Sequence, residues 1–490
     1  MNLVMAYPAI EEFALSSLGY MYLYQKAKEF DGINVERIST DNINCSQMNA
    51  LSFSMSFDFD FMGVFEILEK LKIPFCVKER TKDMPLVFAG GPVITTNPRP
   101  YEDFFDFMLI GDGEELIENV INILKSNPDK KSALEKIKKL EGVYSKGNNA
   151  VKKTERLNNV IYSPLVSDKS YFKNTFIIEA ARGCMNRCAF CTASYINLPF
   201  RSCDYNQIIE AIELGLTKTN KIALLGAQIS AHPDFEKIMN YIKEKIESGT
   251  NIELGISSLR TDSVTRNMVQ TLVLGGQKHS TIAIEAASEK LRRFINKNLK
   301  EEQILNAVKI ARENGLKGLK IYSMIGIPNE EQEDIDEFIQ LAEKLKSQNK
   351  GFNLEFSFST FVPKPHTPLQ WAKREDTKTL EKKQKYLEKE LAKLGIKSKF
   401  SSAKWDYWQT VLSRSGDEIA PLLVYVYQNG GNISSYKKGV KELNINISKS
   451  IDGYNINEPL PWDAISIEPR KELLKNELNR LLHKKNFSKD

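Results

Sequence analysis

Strand-like and helical segments alternate through the middle of the chain, from about residue 174 to 371. The apolar runs are short enough for buried strands, and the segments between them carry apolar residues every three or four positions, as amphipathic helices do. Such alternation predicts parallel strands joined by helical crossovers. Six repeats fit a partial (β/α)6 barrel at least as well as an open sheet. The six runs are TFIIEAA, KIALLGA, IELGISS, STIAIEA, LKIYSMIG and LEFSFSTFV.

The same alternation occupies residues 1–150 and predicts a second α/β domain, a Rossmann-like open and mostly parallel sheet. Residues 151–173 form a predicted linker and residues 174–371 the barrel. The composition changes after Trp371, so residues 372–490 are predicted to be a basic helix followed by a small accessory domain. A chain of 490 residues is long enough for about three domains.

Composition excludes several classes of protein. The net charge of +5 is too small for this length to indicate a nucleic-acid binder by itself. No apolar run approaches the ~18 residues of a membrane-spanning helix, so membrane insertion is not expected. The N-terminus lacks the basic and apolar regions of a secretion signal. We therefore expect a cytoplasmic protein.

Three cysteines stand close together in the segment FIIEAARGCMNRCAFCTASY. Cys184, Cys188 and Cys191 follow a strand and a glycine turn, and three thiolates on one loop can bind three irons of a [4Fe–4S] cluster. The fourth iron then lacks a protein ligand and is open to a small molecule. A structural zinc site fits poorly, because it wants four ligands in paired spacings and no second pair or nearby His exists.

The spacing Cys184-x3-Cys188-Ala-Phe-Cys191 after a first strand resembles that of the radical S-adenosylmethionine (SAM) superfamily. The resemblance implies a partial barrel with the cluster at the carboxyl ends of the strands and SAM bound to the open iron. One electron, from a donor of the flavodoxin or ferredoxin type, would cleave SAM to methionine and a 5′-deoxyadenosyl radical. That radical abstracts hydrogen from an unactivated position.

The resemblance also implies SAM contacts at the strand ends. Gln228 stands where the superfamily often has the Glu of a Gly-Gly-Glu turn, so the acidic residue is missing. Arg260 could pair with the SAM carboxylate or form a surface ion pair. Glu285 could contact SAM or the substrate. The implied SAM-binding residues are Gly226, Gln228, Ser257, Arg260, Glu285 and Gly326.

Two glycine turns follow strands in the first 150 residues, where open α/β sheets bind ligands. They are simple tight turns or cofactor loops, and they contain Gly90, Gly91, Gly111, Gly113 and Glu114. Their order resembles the cobalamin-binding domain that precedes many radical SAM enzymes. No His occurs before His232, so cobalamin would bind without a histidine below cobalt. The resemblance extends over most of the chain to a subfamily of uncharacterised fused proteins, and cobalamin stays open.

Residues 372–400 contain ten Lys and Arg against five Asp and Glu. A solvated helix with ion pairs four residues apart is the simpler interpretation, and a basic face for RNA or an acidic partner is the alternative.

Three functions are compatible with these features. The first is methylation, or a related modification, of an unactivated carbon by a radical SAM enzyme. The second is cobalamin-independent modification of RNA or a protein, as methylthiotransferases perform. That activity would need a second cluster, for which only Cys45 and Cys76 are available in the N-terminal region. The third is a non-catalytic Fe–S protein. The sequence does not identify the substrate, which could be a macromolecule.

Overall fold

The computed structural model describes residues 1–483, which form two compact units that interleave along the chain. The first unit contains residues 1–156, 163–174 and 408–470. The second contains residues 157–162, 175–407 and 471–483. The division of the sequence into four consecutive segments stays a prediction, and its last residues, 484–490, lie outside the described part.

The first unit is built on a six-stranded sheet. Five strands are parallel and the last is antiparallel. Among the parallel strands, numbered along the chain, the order across the sheet is 2-1-3-4-5, which places a topological switch point between the first and third. The predicted Rossmann-like open sheet is confirmed. In spatial order the strands are Asn34–Ser39, Asn2–Tyr7, Ala50–Ser54, Leu86–Gly90, Phe107–Leu109 and Val143–Tyr144.

Helices cover this sheet because each has one apolar stripe. In Glu114–Ser126, Ile117, Val120 and Ile121 are buried on that stripe, whereas its Lys and Glu side chains lie outside. Phe88 and Phe107 stack between neighbouring strands with ring centroids 4.7 Å apart. The other helices of this unit are Glu11–Ser16, Leu18–Lys28, Phe61–Lys70, Pro92–Thr96, Lys130–Ile137, Ala420–Gln428, Ile433–Glu442 and Ser448–Asp452.

The second unit contains the six predicted barrel strands. The first three are parallel neighbours, and the last three are parallel neighbours in a second sheet that begins with the short strand Leu259–Arg260. The prediction of a partial (β/α)6 barrel is confirmed. In chain order the strands are Thr175–Glu179, Lys221–Leu225, Glu253–Ile256, His279–Glu285, Gly318–Ile325 and Asn353–Thr360.

Alternate residues of the barrel strands pack beneath the surrounding helices. Phe176, Ile222, Ile282, Ile321 and Phe356 all point to that side and are completely or almost completely buried. The helices that accompany the strands in the described part of this unit are Ala193–Ile196, Tyr205–Leu216, Phe235–Glu247, Arg266–Leu274, Glu289–Phe294, Glu301–Glu313, Gln332–Gln348 and Thr377–Lys393. Ala403–Arg414 crosses from this unit to the first, and Lys471–His483 returns to the second.

The basic segment forms the helix Thr377–Lys393, whose Leu380, Leu387 and Leu391 are buried. Lys397–Phe400 then joins the sheet as a parallel neighbour of the sixth barrel strand. The lysine-rich sequence is therefore part of the barrel unit. Within residues 1–483, no helix has both the length and the apolar character needed to cross a bilayer.

Candidate functional site

The cysteine loop leaves the carboxyl end of the first barrel strand through Gly183. This glycine has φ +85°, and a Cβ there would lie 2.5 Å from the Asn197 carbonyl oxygen, so only glycine fits the turn. The loop is also fixed by two other segments of the chain: Ala189 N donates to O of Ile295, at the end of the helix Glu289–Phe294, at 2.9 Å, and the Ala189 carbonyl accepts from Leu369 N, in the segment after the sixth strand, at 3.2 Å. The three cysteines are thereby held at the mouth of the barrel.

Cys184 and Cys188 of this loop are buried, Cys191 is half-buried, and none of the three forms a disulfide. Cys184 is 8% exposed and Cys188 6%. Burial raises the pKa of Cys188 to about 12 and also raises that of Cys191. Protonated buried thiols are poor nucleophiles, whereas bound iron would deprotonate them.

The three thiols also influence one another electrostatically, because the charge of Cys191 acts on Cys188 and that of Cys184 on Cys191. Among residues 1–483, no group of three Cys, His, Asp or Glu side chains could hold a metal ion as arranged. The fit of a [4Fe–4S] cluster therefore rests on the loop, the burial of its thiols and their spacing.

Gln228 lies against the cysteine loop. The Cys184 thiol is 3.7 Å from Gln228 Oε1, and Asn186 Nδ2 is 3.5 Å from the same sulfur. The Asn186 amide also donates to Gln228. Sequence reasoning missed Asn186, although it stands within the cysteine motif. Amide groups thus surround Cys184 and could donate to a sulfur ligand without adding charge.

Gly226 and Ser257 join the ends of the second and third strands. The Ser257 hydroxyl donates to Gly226 O at 2.9 Å. A Cβ at Gly226 would lie 3.2 Å from Ala181 O, so the backbone runs close to the short strand Ala181–Arg182 that follows the first barrel strand. Two of the predicted contacts are therefore brought together at one edge of the sheet.

Glu285, at the end of the fourth strand, is paired rather than free. Lys297 Nζ lies 3.0 Å from its Oε1, and the two side chains are only 8% (Lys297) and 14% (Glu285) exposed. Glu285 has φ +67°, an unusual conformation for a residue with a long side chain. The charges of this pair also affect the thiol of Cys188. Lys297 lowers the pKa of Cys188 and so partly offsets the effect of burial, whereas Glu285 raises it.

Arg260 donates to Lys297 O at 2.5 Å and pairs with Asp262, Nε to Oδ1, at 2.8 Å. Its side chain is mostly buried, so it is not a simple surface ion pair. Lys297 was missed by sequence reasoning. The signal available in the sequence was its position between two asparagines, a residue type that tolerates positive φ better than most, and the structure gives both Asn296 and Asn298 positive φ.

The fifth strand ends at Ile325 and is followed by Gly326, which has φ +78°. Its N–H donates to Glu330 Oε2 at 2.7 Å and closes a turn at the same edge of the barrel as the cysteine loop. All six residues of the implied SAM site therefore lie at strand ends.

In the first unit, a cavity of about 300 Å³ lies at the carboxyl edge of the sheet. It is lined by the predicted glycines Gly90, Gly91, Gly111 and Gly113, but Glu114 is not among its lining residues. The cavity also borders the switch point between the first and third strands, where doubly wound sheets bind ligands. Its other lining residues include Ser17, Tyr20, Ser52, Ser54, Ser56, Phe88, Leu109 and Ile117.

The backbone beside the cavity has room only for glycine at two positions. A Cβ would lie 2.4 Å from Met55 O at Gly91 and 2.1 Å from Lys153 O at Gly111, and both glycines have positive φ. Glu155, missed from sequence, donates its N–H to Asp112 Oδ2 at 2.8 Å and accepts from Glu115 N at 2.6 Å. Burial, opposed by the Glu115 N–H and reinforced by neighbouring carboxylates, raises the pKa of Glu155 to about 7.

The sequence matches the radical SAM superfamily over residues 178–342. It matches the N-terminal domain of radical SAM proteins over residues 19–145. An uncharacterized protein of Methanocaldococcus jannaschii is 29% identical over 449 residues, covering 89% of this chain and 94% of that protein.

Two solved structures share the fold. The cobalamin-dependent SAM radical enzyme OxsB, with cobalamin and SAM bound, has a TM-score of 0.58 at 14% identity, covering 99% of this chain and 79% of that one. The radical SAM methyltransferase TsrM from Kitasatospora setae has a TM-score of 0.55 at 11% identity, covering 72% of each chain. The chain belongs to the radical SAM superfamily of enzymes, which use a [4Fe–4S] cluster and SAM, and it carries the N-terminal domain of radical SAM proteins ahead of its barrel.

Proposed function

We propose that Cys184, Cys188 and Cys191 hold the [4Fe–4S] cluster and that the enzyme methylates, or modifies in a related way, an unactivated carbon of its substrate. The observation that carries this proposal is the group of three thiols on one loop at the barrel mouth, those of Cys184 and Cys188 buried and that of Cys191 half-buried, beside Gln228 and the Lys297–Glu285 pair. When bound, the cluster supplies one electron that cleaves SAM to methionine and a radical able to abstract hydrogen.

The protein supplies charged and polar groups around the cluster site. The cations of Lys297 and Arg260 lie where they favour the anionic form of Cys188, with Glu285 opposing them. Arg260 stands at a strand end with its side chain mostly buried and paired with Asp262, so a SAM carboxylate bound there would share or replace that pairing. The backbone groups of Gly226 and Gly326 and the hydroxyl of Ser257 offer polar contacts around the same mouth.

We propose cobalamin as the methyl donor, bound in the first unit. The glycine-lined cavity supports this, since two of its glycines leave no space for a Cβ and its lining combines serine residues with apolar ones. At about 300 Å³, the cavity would take up only part of cobalamin, and the rest of the cofactor would lie outside it. No His occurs in this unit, so cobalt would have no histidine ligand from it. OxsB binds cobalamin and shares this fold.

A cobalamin-independent modification of the methylthiotransferase kind is the second candidate. It would need a further cluster, and the first unit has only two cysteines, Cys45 and Cys76. Burial raises the pKa of both thiols. Two ligands are one short of three, so methyl transfer is favoured. In both cases we expect a flavodoxin or ferredoxin as electron donor.

The test is anaerobic reconstitution with iron and sulfide, followed by dithionite and SAM. We expect 5′-deoxyadenosine from the wild type and none from Cys184→Ala, with iron content reduced in the variant. Cys203→Ala is the matched control, because this buried thiol donates to Glu179 O at 3.2 Å and stands outside the loop. A fully loaded wild type that neither cleaves SAM nor changes its EPR signal with SAM contradicts the proposal.

Incubation with hydroxocobalamin followed by gel filtration separates the two candidates. Retained corrin absorbance supports cobalamin-dependent methyl transfer. Loss of all corrin absorbance from a folded, cluster-loaded protein removes it.

A further inference from the structure

The turn after the fifth barrel strand is tied to the lysine-rich helix by a buried ion pair. Glu330 Oε2 accepts from Gly326 N at 2.7 Å and from Lys383 Nζ, also at 2.7 Å. The Glu330 side chain is 1% exposed and that of Lys383 12%. A single carboxylate oxygen therefore connects the backbone of the turn to a cation on a helix outside the six-stranded barrel.

The same helix segment also packs against the turn. A Cβ on Gly326 would lie 2.6 Å from Leu380 Cδ2 and 3.3 Å from Glu375 Cβ, so the glycine is in close contact with residues 375–380. The Glu375 carboxylate is itself 3.4 Å from Lys383 Nζ. The turn is therefore in contact with the apolar side chain of Leu380 and is also linked, through Glu330, to the charge of Lys383.

Lys383 differs from the other lysines of its helix. Lys378, Lys382, Lys385 and Lys389 are exposed, as a solvated helix face would have them. Lys383 instead faces a carboxylate that burial makes costly to keep ionised, and its charge offsets that penalty. Without the cation, Glu330 would take up a proton or move toward water, and either change weakens its hold on the Gly326 N–H.

We propose that Lys383 is a positioning residue for SAM, which through Glu330 holds the backbone of residues 326–330 in the conformation that receives the adenosine end of SAM. This inference rests on the proposed function, since it takes the barrel mouth as the SAM site. It makes residues 375–383, which lie beyond the six-stranded barrel and outside the region matched to the superfamily, a part of SAM binding.

The test compares Lys383→Met with Lys382→Met and Lys385→Met, which remove exposed lysines from the same helix. Dissociation constants of cluster-loaded protein are measured anaerobically for SAM, 5′-deoxyadenosine and methionine. We expect Lys383→Met to weaken SAM and 5′-deoxyadenosine about tenfold and methionine less than about twofold. Iron content and the EPR signal of the reduced cluster without SAM stay unchanged, as do all affinities of the two controls.

A double-mutant cycle with Glu330→Gln keeps the test independent of how well Lys383→Met folds. Glutamine retains an acceptor for Gly326 and needs no cation, so adding Lys383→Met to Glu330→Gln should change SAM affinity less than about twofold.

Wild-type SAM affinity in Lys383→Met, an equal loss for methionine and 5′-deoxyadenosine, or a further tenfold loss in the double variant overturns the positioning role. If the cluster-loaded wild type does not bind SAM at all, the proposed function fails, and this inference fails with it. The wild-type measurement therefore distinguishes failure of the proposed function from failure of the positioning role alone.

Discussion

Lys297 Nζ and Glu285 Oε1 lie 3.0 Å apart beside the cysteine loop, with both side chains almost completely buried. The pair spans the end of the fourth barrel strand and the loop after the short helix Glu289–Phe294. It places a compensated charge next to three thiols that must become anionic to bind iron.

Removing the cation of Lys297 alone should lower both the free energy of unfolding and the reduction potential of the cluster. In Lys297→Met, Glu285 keeps a buried negative charge near the thiolates, so we expect a loss of about 3 kcal/mol in the free energy of unfolding. The reduction potential of the cluster should become more negative, because reduction adds charge to a site that has lost a cation. Denaturant titration and an EPR-monitored redox titration measure the two effects.

Glu285→Gln in the Lys297→Met background supplies the control. It removes the unpaired charge, so part of the lost stability should return. Lys309→Met, at an exposed lysine on the helix Glu301–Glu313, should change neither quantity. A Lys297→Met protein with wild-type stability and potential contradicts the role given to this pair.

Gly91 tests the backbone beside the cavity of the first unit. It has φ +108°, and an alanine Cβ would lie 2.4 Å from Met55 O. We expect Gly91→Ala to lower the free energy of unfolding by about 3 kcal/mol or more, from conformational strain and crowding together. Gly147→Ala separates the two causes, because Gly147 has φ +85° with no atom within 4 Å of a new Cβ. We expect Gly147→Ala to lower the free energy of unfolding by only about 1 kcal/mol. If the two variants lose the same amount, crowding does not contribute at Gly91.

Asp60 gives the first unit a pH dependence. Burial raises the pKa of Asp60 to about 6, although its Oδ2 accepts from the backbone N–H groups of Ser56 and Phe57 at 2.6 and 2.9 Å, and Asp58 raises it further. The folded state therefore holds a proton that the unfolded state releases near pH 4. Its contribution to stability is present below that value and is lost as the pH rises through about 6.

Asp60→Asn removes this titration. Relative to wild type, the variant should gain on the order of 2 kcal/mol in the free energy of unfolding between pH 4.5 and 7.5. Paired denaturant titrations at several pH values measure the difference. A difference that is constant over this range would show that Asp60 titrates alike in both states.

The strand–helix alternation and the convergence of the turns could be predicted from sequence, for a simple reason. Buried parallel strands are short apolar runs, and their carboxyl ends meet at one edge, so residues following different strands come together. Gly226 and Ser257 in the barrel, and the four glycines of the first unit, converge in this way.

The charged partners could not be predicted in the same way. Lys297 and Lys383 belong to polar segments that read as solvated, and only the tertiary packing shows that each faces a buried carboxylate. The strand Lys397–Phe400 was missed for a related reason: it lies at the edge of its sheet, and its KSKF sequence lacks the apolar run of a central strand.

The central claim is that protein thiolates bind three irons of the cluster and leave the fourth to SAM. ⁵⁷Fe Mössbauer spectroscopy of reconstituted protein, with and without SAM, tests it most directly. We predict a [4Fe–4S] cluster in which SAM changes the isomer shift of one iron out of four. Four irons with unchanged parameters in saturating SAM, or zinc in place of iron, would contradict the account.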